Sequence, residues 1–259
     1  MTQPERPGLI PLLLIGVAGG LLSGLFGIGG GTIIVPALAL WLGMNQKLAA
    51  GTSVAAILPV AVVGATTYAL QGNVDWVAAL CLAVGIIVGA QVGSHLLQKA
   101  PLNTVKWLFM GFLAVVIVSL WFVVPQREDT IDINLVTAGG LVLTGFLTGI
   151  LSGLLGVGGG VVVVPVLMFF FGASDLIAKG TSLLMMIPGS ISGTIGNFRR
   201  RNVDLRAAAI VGLAACACVP VGTLFAGLID PFWGNIAFSL YLAFILGQMF
   251  MRWLRDRKA

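Results

Sequence analysis

Leu21-Leu22-Ser23-Gly24-Leu25-Phe26-Gly27-Ile28-Gly29-Gly30-Gly31, closed by Pro36, decides how this chain folds, because it is written twice. The second copy, Ile150-Leu151-Ser152-Gly153-Leu154-Leu155-Gly156-Val157-Gly158-Gly159-Gly160, starts 129 positions later and closes at Pro165. The same offset carries Gly51-Thr52-Ser53 to Gly180-Thr181-Ser182, Pro59 to Pro188, Gly64 to Gly193 and Asn73-Val74-Asp75 to Asn202-Val203-Asp204. One register held without a gap is a duplicated half, with repeat 1 at about 10–127 and repeat 2 at about 133–254. In an apolar chain, duplicated halves broken by glycine point to a site at the repeat interface.

Apolar this chain is. It is 58% hydrophobic and 9% charged, with a mean hydropathy of +1.07. Soluble domains carry about 25% charged residues, so no water-facing surface can be built from it. All nine acids (Glu5, Asp75, Glu128, Asp129, Asp132, Asp175, Asp204, Asp230 and Asp256) lie in or beside the gaps between apolar runs. The net charge of +5 does not indicate nucleic acid. Its bases sit in loops and at the C-terminus, as Arg199-Arg200-Arg201 and Arg252, Arg255, Arg257 and Lys258 illustrate, where cytoplasmic anchors of membrane segments belong. Cys81, Cys216 and Cys218 lie inside apolar segments without metal spacing and read as small core residues. The N-terminal run, with Arg6 before it and Ala18-Gly19-Gly20 within it, faintly resembles a signal peptide. Its recurrence at 141–155 assigns it to the mature fold instead.

Apolar segments run at about 12–26, 32–44, 48–70, 76–98 and 103–124, then at 135–155, 161–173, 177–197, 207–229 and 232–251. The third to fifth of each half suit a bilayer, which takes about 20 apolar residues. The second of each half is shorter and, with its predecessor and the glycine break, reads as a re-entrant or broken helical hairpin. Trp41, Trp76, Trp107, Trp121, Trp233 and Trp253 all fall near segment ends, as an interfacial belt requires. The bases set the topology. With the C-terminal tail inside and each hairpin returning the chain to the side it left, Arg6, Lys47, Lys99, Lys106, the arginine cluster and Arg206 all fall inside. Lys179 and Arg127 then fall outside. If each paired segment crossed once, Lys47, Lys99 and Lys106 would move outside, so charge bias favours the first arrangement. Each half then crosses an odd number of times. The expected fold is an all-α integral membrane protein of two inverted-topology repeats, each a glycine-broken hairpin plus three transmembrane helices, with both termini cytoplasmic.

A helix broken inside a bilayer exposes backbone N–H groups that protein, water or ligand must satisfy. Gly29, Gly30 and Gly31, and their copies Gly158, Gly159 and Gly160, each lead into a short segment whose start carries about half a positive charge. Such an end suits an anion, and glycine lets a ligand approach the backbone. Close packing of helices through small residues fits the same glycines. Thr32-Ile33-Ile34-Val35 and Val161-Val162-Val163-Val164 are compatible with extended chain as well as helix, so the short helices begin either at the glycines or at Pro36 and Pro165. Thr52, Ser53, Thr181 and Ser182 are placed to cap a helix, bond back along it, or donate to a ligand. Pro59 and Pro188 remove one helical bond each and fit kinks, moving or static. Asn197 stands with Thr66, Thr67, Tyr68, Gln91, Ser190, Ser192 and Thr194 among the polar residues of the spans. No Asp or Glu lies deep in a span, which favours an anion or neutral polar substrate over a cation. His95, the single histidine, reads as interfacial, with proton carriage as its alternative.

The glycine signature with its proline, Gly-Thr-Ser followed by Pro, and Asn-Val-Asp, each twice, resembles the sulfite exporter TauE/SafE family from Leu12 to about Met251. The resemblance implies a prokaryotic inner-membrane permease for small sulfur anions such as sulfite or organosulfonates; no cofactor or metal is expected. Its partners would be the anion and membrane lipid. The halves depart from each other at Tyr68 against Asn197 and at Ala50 against Lys179. The alternatives are an importer or exchanger of another small anion, and a membrane enzyme or assembly factor for sulfur compounds. The latter would need an activated nucleophile or metal cluster, while the three cysteines have no clustered His or acid beside them.

Overall fold

A computed structural model describes residues 8–99, 107, 110, 111, 114, 117, 118, 131 and 133–258, with side chains for all of these except 40, 97–99 and 252–258. Nine helices follow in order among the described residues: α1 (Leu9–Phe26), α2 (Gly31–Leu40), α3 (Gln46–Leu70), α4 (Trp76–Lys99), α5 (Leu135–Leu155), α6 (Gly160–Phe170), α7 (Asp175–Arg199), α8 (Leu205–Leu228) and α9 (Pro231–Lys258). Within the expected segment 103–124, Trp107, Met110, Gly111, Ala114, Ile117 and Val118 are helical. The rest of that segment, with Lys106 and Trp121, lies outside the described residues, as do Glu5, Arg6, Arg127, Glu128, Asp129 and Asp132.

Matching residues end and start the helices of the two halves. Gly27 and Gly156 close α1 and α5 in the left-handed region, at φ 69° and 68°, and their N–H groups return to Ser23 O and Ser152 O. That conformation costs glycine least. Asn45 and Ser174 cap α3 and α7 by accepting from Leu48 N and Ile177 N. Asp75 and Asp204 cap the next helices by accepting from Ala78 N and Ala207 N. These short polar side chains satisfy orphan donors at helix starts.

The hairpins resolve as short helices. α2 has 10 residues and α6 has 11, which at 1.5 Å per residue is about half the thickness of a bilayer core. Both start at glycine and keep Pro36 and Pro165 inside, so the β-branched runs are helical rather than extended.

The halves are interlaced. α1 lies along α8, and α5 lies along α4, so the first helix of each half packs on a helix of the other. Glycines one turn apart make these contacts backbone to backbone. A Cβ on Gly20 would stand 2.3 Å from Ala215 O, and one on Gly89 would stand 2.2 Å from Phe146 O. Small-residue stripes are how helices approach closely in lipid, where no hydrophobic force gathers them. At the centre α3 and α7 lie side by side, each also packed on the partner half's α8 or α4.

Six described helices are long and apolar enough to span: α1, α3, the 76–96 part of α4, α5, α8 and the 231–251 part of α9. α7 is as long as α3, at 25 residues, but its polar side chains keep it off that set. It is the innermost polar helix, with Thr181, Ser182, Ser190, Ser192 and Asn197 all buried. Outward faces carry bare apolar side chains instead: Leu80 is 67% exposed, Leu213 70% and Leu228 81%. Trp41, Trp76, Trp107 and Trp233 are exposed beside them. A surface this apolar needs lipid.

Candidate functional site

The two glycine loops, 27–31 and 156–160, cross each other at the middle of the molecule. A Cβ on Gly31 would stand 2.4 Å from Val157 O, and one on Gly160 would stand 2.2 Å from Gly27 O and 2.6 Å from Ile28 Cα. Gly30 is pressed on Gly19 O in the same way, at 2.7 Å. No side chain fits at these positions, so the runs are glycine for packing as well as for any ligand. Gly29 and Gly30 also hold φ 73° and 75°, and Gly158 holds 84°, which L side chains seldom adopt. Two α-helices begin at this crossing, and the first N–H groups of each have no acceptor within the helix.

Ile57 of α3 and Met186 of α7, again 129 positions apart, plug the crossing from either side. Met186 Sδ stands 2.7 Å and Ile57 Cγ2 3.2 Å from the Cβ position of Gly29, and Ile57 Cδ1 stands 3.2 Å from that of Gly158. Between them lies a cavity of about 10 Å³ lined by Val54, Ile57, Ile86, Ser152, Gly158, Gly159, Met186, Gly189 and Ser190. That volume holds about one water molecule. Ser190 is already among the polar residues of the spans, whereas Ser152, Ile57 and Met186 carry no local mark as site residues. The repeat offset was their available signal, since it pairs Ile57 with Met186 and Ser23 with Ser152.

Thr52, Ser53, Thr181 and Ser182 hold the crossing from behind. Thr52 Oγ1 accepts from Asp204 N and Thr181 Oγ1 accepts from Asp75 N, both at 2.9 Å. Ser53 donates to Gly156 O at 2.9 Å and Ser182 to Gly27 O at 2.6 Å. Gly51 and Gly180 make room, for a Cβ there would stand 1.9 Å from Asn202 O and 2.0 Å from Asn73 O. Each Gly-Thr-Ser therefore docks on the Asn-Val-Asp turn and glycine loop of the opposite half. Capping belongs to Asn45 and Ser174 instead. In this arrangement the start of α3 lies against the end of α7, and the start of α7 against the end of α3.

The remaining sequence candidates stand apart from the cavity. Asn197 is buried against Gly51, and its Nδ2 donates to Gly193 O at 2.9 Å. Pro59 and Pro188 lie inside α3 and α7, and Pro59 packs on Gly212 of α8. His95 is exposed towards the end of α4. Cys81, Cys216 and Cys218 are free thiols. Among the described residues no cluster of His, Cys, Asp or Glu could hold a metal. Asp175 and Lys179, beside the gap before α7, form a buried pair at 3.1 Å on its first turn, with 3% and 7% side-chain exposure. Repeat 1 has Gln46 and Ala50 there, and the pair abuts the crossing because a Cβ on Gly27 would stand 2.6 Å from Lys179 Cα.

Comparison with known proteins agrees with this architecture. The chain is 27% identical over 188 residues to the probable membrane transporter protein YdhB of Bacillus subtilis, covering 71% of this chain and 77% of that one. It is 25% identical over 240 residues to the probable membrane transporter protein YunE of the same organism, covering 83% and 85%. A probable membrane transporter protein of Methanocaldococcus jannaschii is 30% identical over 171 residues, 61% of either chain. No solved structure matches. The sequence profile described as Sulfite exporter TauE/SafE matches residues 1–120 and 141–259, and the chain belongs to that family of membrane transporters.

Proposed function

We propose that this transporter carries small sulfur oxyanions, sulfite or organosulfonates, out of a prokaryotic cell across the inner membrane, by alternating access at the glycine crossing. The observation that carries the reading is the crossing itself. Two helix breaks meet inside an apolar bundle, and two short helices start there with orphan N–H groups and the positive ends of their dipoles. Gly29, Gly30, Gly31, Gly158, Gly159 and Gly160 frame the site. The Thr52, Ser53, Thr181 and Ser182 contacts keep both loops in register, and Asn197 stands further along α7. The head-to-tail placement of α3 and α7, equivalent helices of the two halves, supports inverted topology, a common basis for alternating access. With room for about one water, the cavity suits an occluded state, opened by moving Ile57 and Met186. Sulfur itself rests on the family's description. Export follows from charge, because an interior-negative potential favours exit of an anion by about 2.3 kcal/mol per charge per 100 mV.

Proteoliposome flux across sulfite, sulfate, thiosulfate and sulfoacetate tests the reading, with Gly159→Leu as the site variant. Position 159 has an ordinary φ of −80°, so the variant adds bulk without a forbidden backbone. Sulfite or sulfoacetate flux that disappears in a folded Gly159→Leu protein is expected. Flux of a different anion alone would reassign the substrate, and unchanged affinity in the folded variant would remove the crossing as the site.

A further inference from the structure

Thr148 of α5 is fully buried, and its hydroxyl has no hydrogen-bond partner. Such a group carries a desolvation penalty that folding alone does not repay. Its position is specific. Thr148 Cγ2 stands 2.8 Å from where a Cβ on Gly159 would lie, so the side chain rests on the residue that caps α6 and walls the cavity. Ser152, one turn later on the same face of α5, lines that cavity, as does Ser190 from α7. In repeat 1 the matching positions are Gly19, Ser23 and Ala61. Hydroxyls therefore gather on one side of the pseudo-symmetric crossing.

We infer that Thr148, with Ser152 and Ser190, forms an off-axis oxyanion subsite beside the start of α6, and that the Thr148 hydroxyl donates to the substrate when the plug opens. This rests on the proposed anion transport and names where the anion sits within it. The chemistry fits: an oxyanion accepts hydrogen bonds only, and a hydroxyl can turn its proton towards it. Neutral donors at a positive helix end bind an anion without the tight charge pairing that would hinder release. Thr148 Oγ1 is unpartnered, as is Ser23 Oγ at the position matching Ser152 in repeat 1. On the α5 side, however, the unpartnered hydroxyl stands beside Ser152 and Ser190, which line the cavity, and so marks where something besides protein completes the site.

The test uses full-length protein with Cys81, Cys216 and Cys218 replaced by Ala, reconstituted in liposomes. A Thr148→Cys variant should react faster with the anionic reagent methanethiosulfonate ethylsulfonate than with its cationic trimethylammonium analogue. The transported anion should slow that reaction. Thr148→Val should melt at the wild-type temperature or higher, since no protein hydrogen bond is lost, yet bind sulfite roughly 10- to 100-fold more weakly, the share of one hydrogen bond to a charge. Thr148→Ser should keep the affinity. No anion preference in a transporting Thr148→Cys variant, or wild-type affinity in folded Thr148→Val, would overturn the subsite. If the wild type binds no sulfur anion but the Thr148→Cys variant still prefers the anionic reagent, the subsite stands and only the sulfur assignment falls.

Discussion

Arg201 holds φ 58°, in the left-handed region, where its counterpart in the first half is Gly72 at φ 75°. Both follow a helix whose last turn is closed by the N–H of an asparagine, Asn202 to Asn197 O and Asn73 to Tyr68 O. A side chain in that conformation costs about 1 kcal/mol, which Arg201→Gly would relieve, less the greater freedom of glycine in the unfolded chain. The variant should raise the melting temperature in detergent slightly, and a clear fall would refute the strain. The opposite sign is expected at Thr181. Thr181→Val removes the acceptor of the Asp75 N–H and should destabilise by about 1–3 kcal/mol, while Thr181→Ser keeps the oxygen and most of the stability. Thr52→Val should cost about as much through Asp204 N, a comparison that thermal melts of both variants make directly. The sequence marks these residues by repetition but hides their partners. Hydrogen bonds that join residues 106 and 152 positions apart leave no local spacing to read, so helix caps and ligand donors were equally natural expectations.

Helix positions, by contrast, are written locally. Runs of apolar residues closed by Gly, Asn, Ser or Asp give α1 to α8 within a few residues of the expected segments, because capping and hydrophobic length act over one turn or one span. They also give the start of α9, though α9 runs on to Lys258 past the expected apolar end. Which helix lies on which is not local, and the crossed pairs α1 with α8 and α4 with α5 emerge only in three dimensions. Their glycine stripes make a sharp prediction. Gly89→Val would place a side chain 2.2 Å from Phe146 O and should prevent α4 and α5 from closing, seen as loss of monodisperse protein in detergent. At the plug the expected outcome differs. Met186→Ala should enlarge the cavity and cost about 2–5 kcal/mol, as large-to-small core changes do. Because Met186 closes one side of the crossing, the variant should also let small anions leak between transport events. A variant with the lower melting temperature but wild-type leak rates would make Met186 a packing residue only.

For the molecule as a whole, the arrangement of charge decides what drives transport. The two described charged side chains buried near the crossing, Asp175 and Lys179, neutralise each other. His95 is exposed towards the end of α4. If the substrate is the proposed anion, it carries its own charge past the helix starts at the crossing, so the membrane potential acts on it directly. Proteoliposomes with a valinomycin-set potential and no proton or sodium gradient should therefore move substrate towards the positive side. His95→Gln should keep that flux. Asp175→Asn is the sterner variant, because it removes one half of a buried ion pair, and breaking such a pair costs about 3–5 kcal/mol. It should lower stability, but the protein that remains folded should still respond to potential alone. An obligatory proton gradient would refute transport driven by the potential alone, and the variant that abolished the requirement would name the carrier. Loss with His95→Gln would bring the exposed histidine into the cycle. Loss with Asp175→Asn would instead bring the buried Asp175–Lys179 pair into the cycle.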